Sequence, residues 1–179
     1  GSAPVEFDIQ GVVQVTGAFG LNKIGQGRLR LSGNNTFTGL AQVLNGVLEV
    51  GNNNALGTAT GGATVANLAA LEFKSATPLV IPETNFTIVG DGWNNSGTGA
   101  INSISPANVT LAGAISIPST SYQGTTSIGN HSAGTQLTLQ GNTTFIGNLV
   151  VNGDGDTTVI GSLVSGVISN PYFSAIQGR

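Results

Sequence analysis

Cysteine is absent from the 179 residues, which excludes disulfides and thiol chemistry. Charge is nearly as scarce, at 7% of the chain against roughly a quarter in ordinary globular proteins. Five Lys and Arg are scattered along the chain and outnumbered by eight Asp and Glu. No basic patch therefore exists to neutralise a phosphate backbone, and nucleic acid is not an expected partner. Attraction to an anionic membrane surface fails for the same reason. No apolar run is long enough for a helix to cross a bilayer, so no segment inserts in that way. His131 is the only histidine. With no second His and no Cys, a transition-metal centre or a Cys-His pair lacks its donors, and no Gly-x-Ser-x-Gly elbow supplies a nucleophile.

What is present is 28 Gly, many Asn, Thr and Ser, and recurrent Val, Ile, Leu and Phe. Such a composition suits short strands and tight turns rather than helices. With a net charge of only −3, a disordered tail is not expected. Strand-like pieces recur at short intervals, with turn residues between them. The clearest are Leu29–Leu31, Val47–Val50, Leu71–Phe73, Leu79–Ile81, Val109–Leu111 and Leu137–Leu139. Alternation places Leu29, Leu31, Leu48, Val50, Leu71 and Phe73 on one face. Arg28, Arg30, Glu49, Glu72 and Lys74 then fall on an outer, wet face. Asn52–Gly62 and Asp91–Gly99 interrupt the rhythm and read as lateral loops.

The text also repeats. A shift of 108 positions lays Leu29–Gly39 on Leu137–Gly147 with seven of eleven residues identical, and Asn45-Gly46 later meets Asn152-Gly153. Very short strands, Gly/Asn turns and a long-interval repeat favour an all-β chain folded as a right-handed parallel β-helix, a solenoid of single-stranded coils with short lateral loops. At roughly 20 to 25 residues per coil the chain makes about eight. Asn34, Asn45, Asn52 to Asn54, Asn142 and Asn152, with Gly33 and Gly141, are the turn positions. Their amides either stack in ladders from coil to coil or mark isolated left-handed turns. Gly1-Ser2 reads as a cleavage scar, and residues 3–179 as one solenoid segment.

The block from Lys23-Ile24-Gly25-Gln26-Gly27 through Leu29-Arg30-Leu31-Ser32-Gly33-Asn34-Asn35-Thr36-Phe37-Thr38-Gly39 is followed by Asn45-Gly46-Val47-Leu48-Glu49-Val50-Gly51 and Ala55-Leu56-Gly57. It resembles the autotransporter-associated β-strand repeat of bacterial surface passengers. The match spans residues 21–57, with a partial second copy at 135–153. The resemblance implies a secreted protein at the bacterial surface or outside the cell, exported by a type V autotransporter whose C-terminal barrel lies beyond this chain.

Catalysis requires acids, bases or a nucleophile gathered in one place. Eight carboxylates are available: Glu6, Asp8, Glu49, Glu72, Glu83, Asp91, Asp154 and Asp156. Glu49 and Glu72 could meet on adjacent coils as a glycosidase-like pair, but each sits on an outward position beside Lys74 or an Arg and reads as solvated surface pairing. Asp154-Gly155-Asp156 lacks the tandem repeats and distal acid of a calcium loop. Trp93 and Tyr122 are loop aromatics able to contact a flat ligand. Flat Thr arrays for ice or glycan are disfavoured by irregular spacing along the sequence.

No enzyme activity, cofactor or metal is expected. The expected function is a structural and adhesive stalk that meets a host-cell, matrix or glycan surface. Bare ends would favour end-to-end self-association. The alternative is a β-helix protein that binds or cleaves polysaccharide.

Overall fold

The computed structural model describes residues 5–9, 19–58, 60–118 and 125–165. Tyr122 lies outside them, as do two further strand-like pieces of the sequence, Val12–Val15 and Val167–Ile168. The first seven strands are β1 (Val5–Ile9), β2 (Leu21–Lys23), β3 (Arg28–Leu31), β4 (Ala41–Val43), β5 (Gly46–Val50), β6 (Ala63–Val65) and β7 (Ala69–Phe73). Next come β8 (Leu79–Ile81), β9 (Asn85–Ile88), β10 (Ile101–Ser103), β11 (Val109–Leu111), β12 (Ala114–Ile117) and β13 (Thr125–Asn130). The last five are β14 (Gln136–Leu139), β15 (Thr143–Phe145), β16 (Asn148–Asn152), β17 (Asp156–Val159) and β18 (Leu163–Ser165).

These strands form three sheets, parallel throughout, which is the arrangement of a parallel β-helix. Sheet A runs β1-β3-β5-β7-β10-β13-β16, sheet B runs β2-β4-β6-β9-β12-β15-β18, and sheet C runs β8-β11-β14-β17. Sheets A and B thus stack seven described rungs, which at about 4.8 Å each span roughly 29 Å. Coil length is not uniform. Leu29 pairs with Leu48, Leu48 with Leu71, Leu71 with Ile101 and Ile101 with Ile128. The step between partners therefore lengthens over the first three coils and shortens slightly in the fourth. The coil of roughly 20 to 25 residues expected from the sequence is corrected accordingly: the steps from Leu71 to Ile101 and from Ile101 to Ile128 are longer, and the step from Ile128 to Val151 falls back within that range.

The interior follows the same change. On sheet B one inward column reads Ala41, Ala63, Phe86, Ile115, and it widens where the coil gains a third strand. On sheet A the column Leu29, Leu48, Leu71, Ile101, Ile128 stacks like on like, with every member from Leu48 to Ile128 fully buried. Each such side chain contributes roughly 1.5–3 kcal/mol by leaving water. Burial fades in the last coil, where Leu149, Val159 and Leu163 are only half-buried.

Most turns into sheet B use glycine, the corner before β9 with Thr84 being the exception. A Cβ on Gly61 would lie 2.4 Å from the Gly39 carbonyl oxygen, and one on Gly141 or Gly161 would lie 2.2 Å from the corresponding oxygen of the coil below. The backbones stack too closely there for any side chain. Asn52–Gly62, expected as a lateral excursion, instead stays in the coil: Ala55 and Leu56 are buried in the core.

Candidate functional site

The outer face of sheet A, expected to be wet, is buried. Strands β5 and β7 are covered on both faces, and Arg28, Glu49, Glu72 and Asn102 are at most 8% exposed. The cover is the loop Asp91–Gly99, whose 3-10 turn at Trp93–Asn95 packs across β5 and β7. Asn94 and Asn95 adopt φ of 55° and 51°, a left-handed bend that Asn tolerates better than most residues. The loop is fastened at both ends. Ser127 Oγ donates to Asp91 Oδ1 (2.8 Å), Gly90 N donates to Thr126 Oγ1 (3.1 Å), and Asn152 Nδ2 donates to the Gly97 carbonyl (2.6 Å). Trp93 is half-buried in this strap.

Beneath it, polar side chains connect five consecutive rungs. Parallel register sets Glu49 directly below Glu72, and Glu72 below Asn102. Two stacked carboxylates would repel, and Arg28 Nη1 resolves this by donating to Glu49 Oε2 at 2.9 Å and to Glu72 Oε2. Arg30 Nη1 adds a second cation, 3.2 Å from Glu49 Oε1. Asn102 Nδ2 donates to Glu72 Oε1 (3.4 Å), which leaves Asn102 Oδ1 to accept from His131 Nδ1 (2.9 Å). The network is charge-balanced, and the low local dielectric strengthens each pairing while making the loss of either partner costly. The two Glu are thus brought together as the sequence allowed, but buried and bridged by Arg28 rather than solvated beside Lys74, which is exposed. The strap itself gave no sequence signal that it would fold back over sheet A.

None of Asn34, Asn45, Asn142 and Asn152 has positive φ, so none of the four is a left-handed turn residue. Asn142 Oδ1 accepts from Ser162 N of the next coil at 3.0 Å, Asn53 Oδ1 from Val80 N at 3.0 Å, and Asn108 Oδ1 from Gln136 N at 3.0 Å. Asn35 Nδ2 donates to the Ala55 carbonyl at 2.6 Å. At corners the peptide planes leave ladder geometry, so side-chain amides carry the coil-to-coil bonds that backbone carries within strands. Asn45 bonds its own turn, accepting from Gly46 N at 2.7 Å. Gly33 is buried, and Gly141 belongs to the glycine corner.

A shallow cleft of about 330 Å³ opens where β8 begins sheet C, lined by Asn34, Gly51, Asn52–Asn54 and Thr77–Leu79. No carboxylate lines it. Among the described residues no three His, Cys, Asp or Glu converge on one point, and Asp154 and Asp156 are exposed on either side of Gly155. One carboxyl carried no sequence signal of its surroundings. Glu83, at the corner between β8 and β9, is fully buried, and neither oxygen has a hydrogen-bond partner. Burial pushes it from the usual 4.5 up to about 7, against a smaller opposing pull from its own backbone.

Residues 21–50, covering β2 to β5, match the model of the passenger-associated-transport-repeat family. The passenger repeat expected from the sequence is thereby matched. No curated protein and no solved structure matches the chain. The repeat points to an autotransporter passenger segment, and with that to a secreted or outer-membrane surface protein. The strands of its partial second copy lie elsewhere in the solenoid: Leu29–Leu31 belong to sheet A, whereas Leu137–Leu139 belong to sheet C. Phe37 is buried and Phe145 half-buried.

Proposed function

We propose that the chain is a rigid segment of a passenger, an adhesive stalk that holds its neighbours away from the bacterial surface and meets host cells, matrix or glycan, with no catalytic step of its own. The observation that carries this reading is the unbroken parallel register from β3 to β16. That register is locked from outside by the buried Arg28–Glu49–Glu72 network. A cross-rung ionic lock under a strap resists shear between coils, which a stalk requires and a free loop surface does not. The carboxylates that would serve a hydrolase are engaged by Arg28 instead of facing the cleft.

The test is to display the chain ahead of an autotransporter barrel on live bacteria. Protease added to intact cells should remove the segment, and cells carrying it should adhere to a matrix-and-glycan array more than barrel-only cells. A hydrolase panel should stay blank. Turnover of any glycan by the wild type, lost in Glu49→Gln, would overturn the assignment.

A further inference from the structure

The outer face of sheet B carries two straight, uncharged columns that the sequence spacing conceals. Register places Asn22, Gln42, Thr64, Thr87, Ser116 and Thr144 one above another. The coils between them are of unequal length, which is why no array is legible along the chain. All six are exposed or half-exposed. Among the described residues none of the six makes a side-chain hydrogen bond, so their donors and acceptors face solvent unused.

Two residues further along each rung stands an apolar partner: Ile24, Leu44, Ala66, Val89, Pro118 and Ile146. The ladder continues through these positions, since Leu44 N donates to the Lys23 carbonyl (2.9 Å), Ala66 N to Val43 (2.9 Å), Val89 N to Val65 (3.0 Å) and Ile146 N to Ile117 (3.0 Å). Ile24 is 70% exposed, Leu44 45% and Ile146 41%. Exposed apolar groups scattered singly need no explanation, but a line of them does.

We infer that this face of sheet B is a docking surface for a neutral, extended polysaccharide. A pyranose ring offers an apolar C–H face and a rim of hydroxyls, which suit the apolar and polar columns respectively. Its length along an extended chain is close to the rung spacing of about 4.8 Å. The absence of charge on both columns excludes acidic glycans and other polyanions as the preferred occupant. Area argues against a second protein. Six rungs span about 24 Å and the paired columns about 10 Å, or roughly 240 Å², well short of the ~800 Å² per partner of a stable protein interface. A linear polymer needs only such a strip. The column mixes amides with hydroxyls, so it does not present the uniform Thr lattice that ice would demand. This inference rests on the glycan contact of the proposed adhesive function and names the face and the class of glycan; binding by the purified chain tests it apart from display on a cell.

The purified chain should be retained on at least one of microcrystalline cellulose, chitin and insoluble xylan, with no weakening in high salt. Titration with the matching hexasaccharide gives the affinity. Thr87→Lys and Leu44→Asp should each weaken binding about tenfold or more, by placing a desolvated charge against the sugar. Thr138→Lys, on the outer face of sheet C, should change nothing. Circular dichroism and urea midpoints confirm folding, and Gln42→Lys repeats the test on an independent rung. The inference fails if no polymer retains the chain, or if Thr87→Lys and Thr138→Lys bind alike. It fails equally if sedimentation reveals a dimer that Leu44→Asp dissolves, because a second copy would then cover the face.

Discussion

The coils below and above β8 solve the same stacking problem with different means. Below, residues 21–65 turn with two strands per coil and side-chain amides at the open corner. Above, residues 79–165 add sheet C, and backbone pairing runs along three faces. The two-strand coils hold Ala at the inward positions where the three-strand coils hold Phe86 and Ile115. At the boundary, Val80 N donates to the Asn53 side chain because no strand lies beneath β8 to receive it. The lesson is that a solenoid changes cross-section without breaking register when side chains substitute for the missing strand.

The largest expected effect tests what joins the two regions. Arg28 lies in the lower coils and holds Glu72 at their upper limit, so Arg28→Ala leaves two carboxylates buried without their shared donor. Loss of about 3–5 kcal/mol is expected, read as a drop in urea midpoint. Arg30→Ala, at the half-exposed end, should stay within about 1 kcal/mol. Equal losses would mean that the strap does not exclude water from the network.

Glu83 stands at the first three-strand corner, and its effect depends on pH. A carboxyl whose folded value is raised from 4.5 to about 7 favours folding in its protonated form. Its contribution is intact below about pH 4.5 and is lost as pH rises through about 7. Glu83→Gln should therefore match the wild type at pH 4 and exceed it at pH 8 by about 3 kcal/mol. Parallel stability curves for the two proteins from pH 4 to 8 would contradict the burial of this group.

Smaller losses sharpen the contrast between corners. Gly141→Ala places a Cβ 2.2 Å from the Gly113 carbonyl, so the coils must separate locally, at about 1–3 kcal/mol. Gly134→Ala, which meets open space at φ +75°, carries only the left-handed strain of roughly 1–2 kcal/mol. Asn53→Ala removes the exposed cap on β8 and should lower stability by about 0.5–1 kcal/mol. Hydrogen exchange at Val80 should accelerate with it while Leu111 stays protected.

Strands of sheets A and C were legible from alternating apolar residues, as at Leu79–Ile81, Val109–Leu111 and Leu137–Leu139. In sheet B, Ala114–Ile117 was legible too, whereas Ala41–Val43 and Ala63–Val65 were not. Ala and Val with one polar residue between them carry too little periodicity to stand out from turn text. Of the candidate site, the sequence supplied Glu49 and Glu72 as neighbours but placed them in water. Nothing local announces that Asp91–Gly99 will lie over them, because the strap's anchors, Thr126, Ser127 and Asn152, are remote along the chain.

Composition and local pattern alone determined that this chain stacks short parallel strands around a narrow apolar interior, since alternation and glycine corners are properties of a few adjacent residues. The same strand–corner–strand text at Leu29–Gly39 and Leu137–Gly147 nevertheless serves sheet A in one place and sheet C in the other. Which face a strand joins, which side chains form a column and which charges are sealed from water were decided by the register of the stacked coils and by the strap across them. Register depends on everything between two strands, so only the folded stack could fix it.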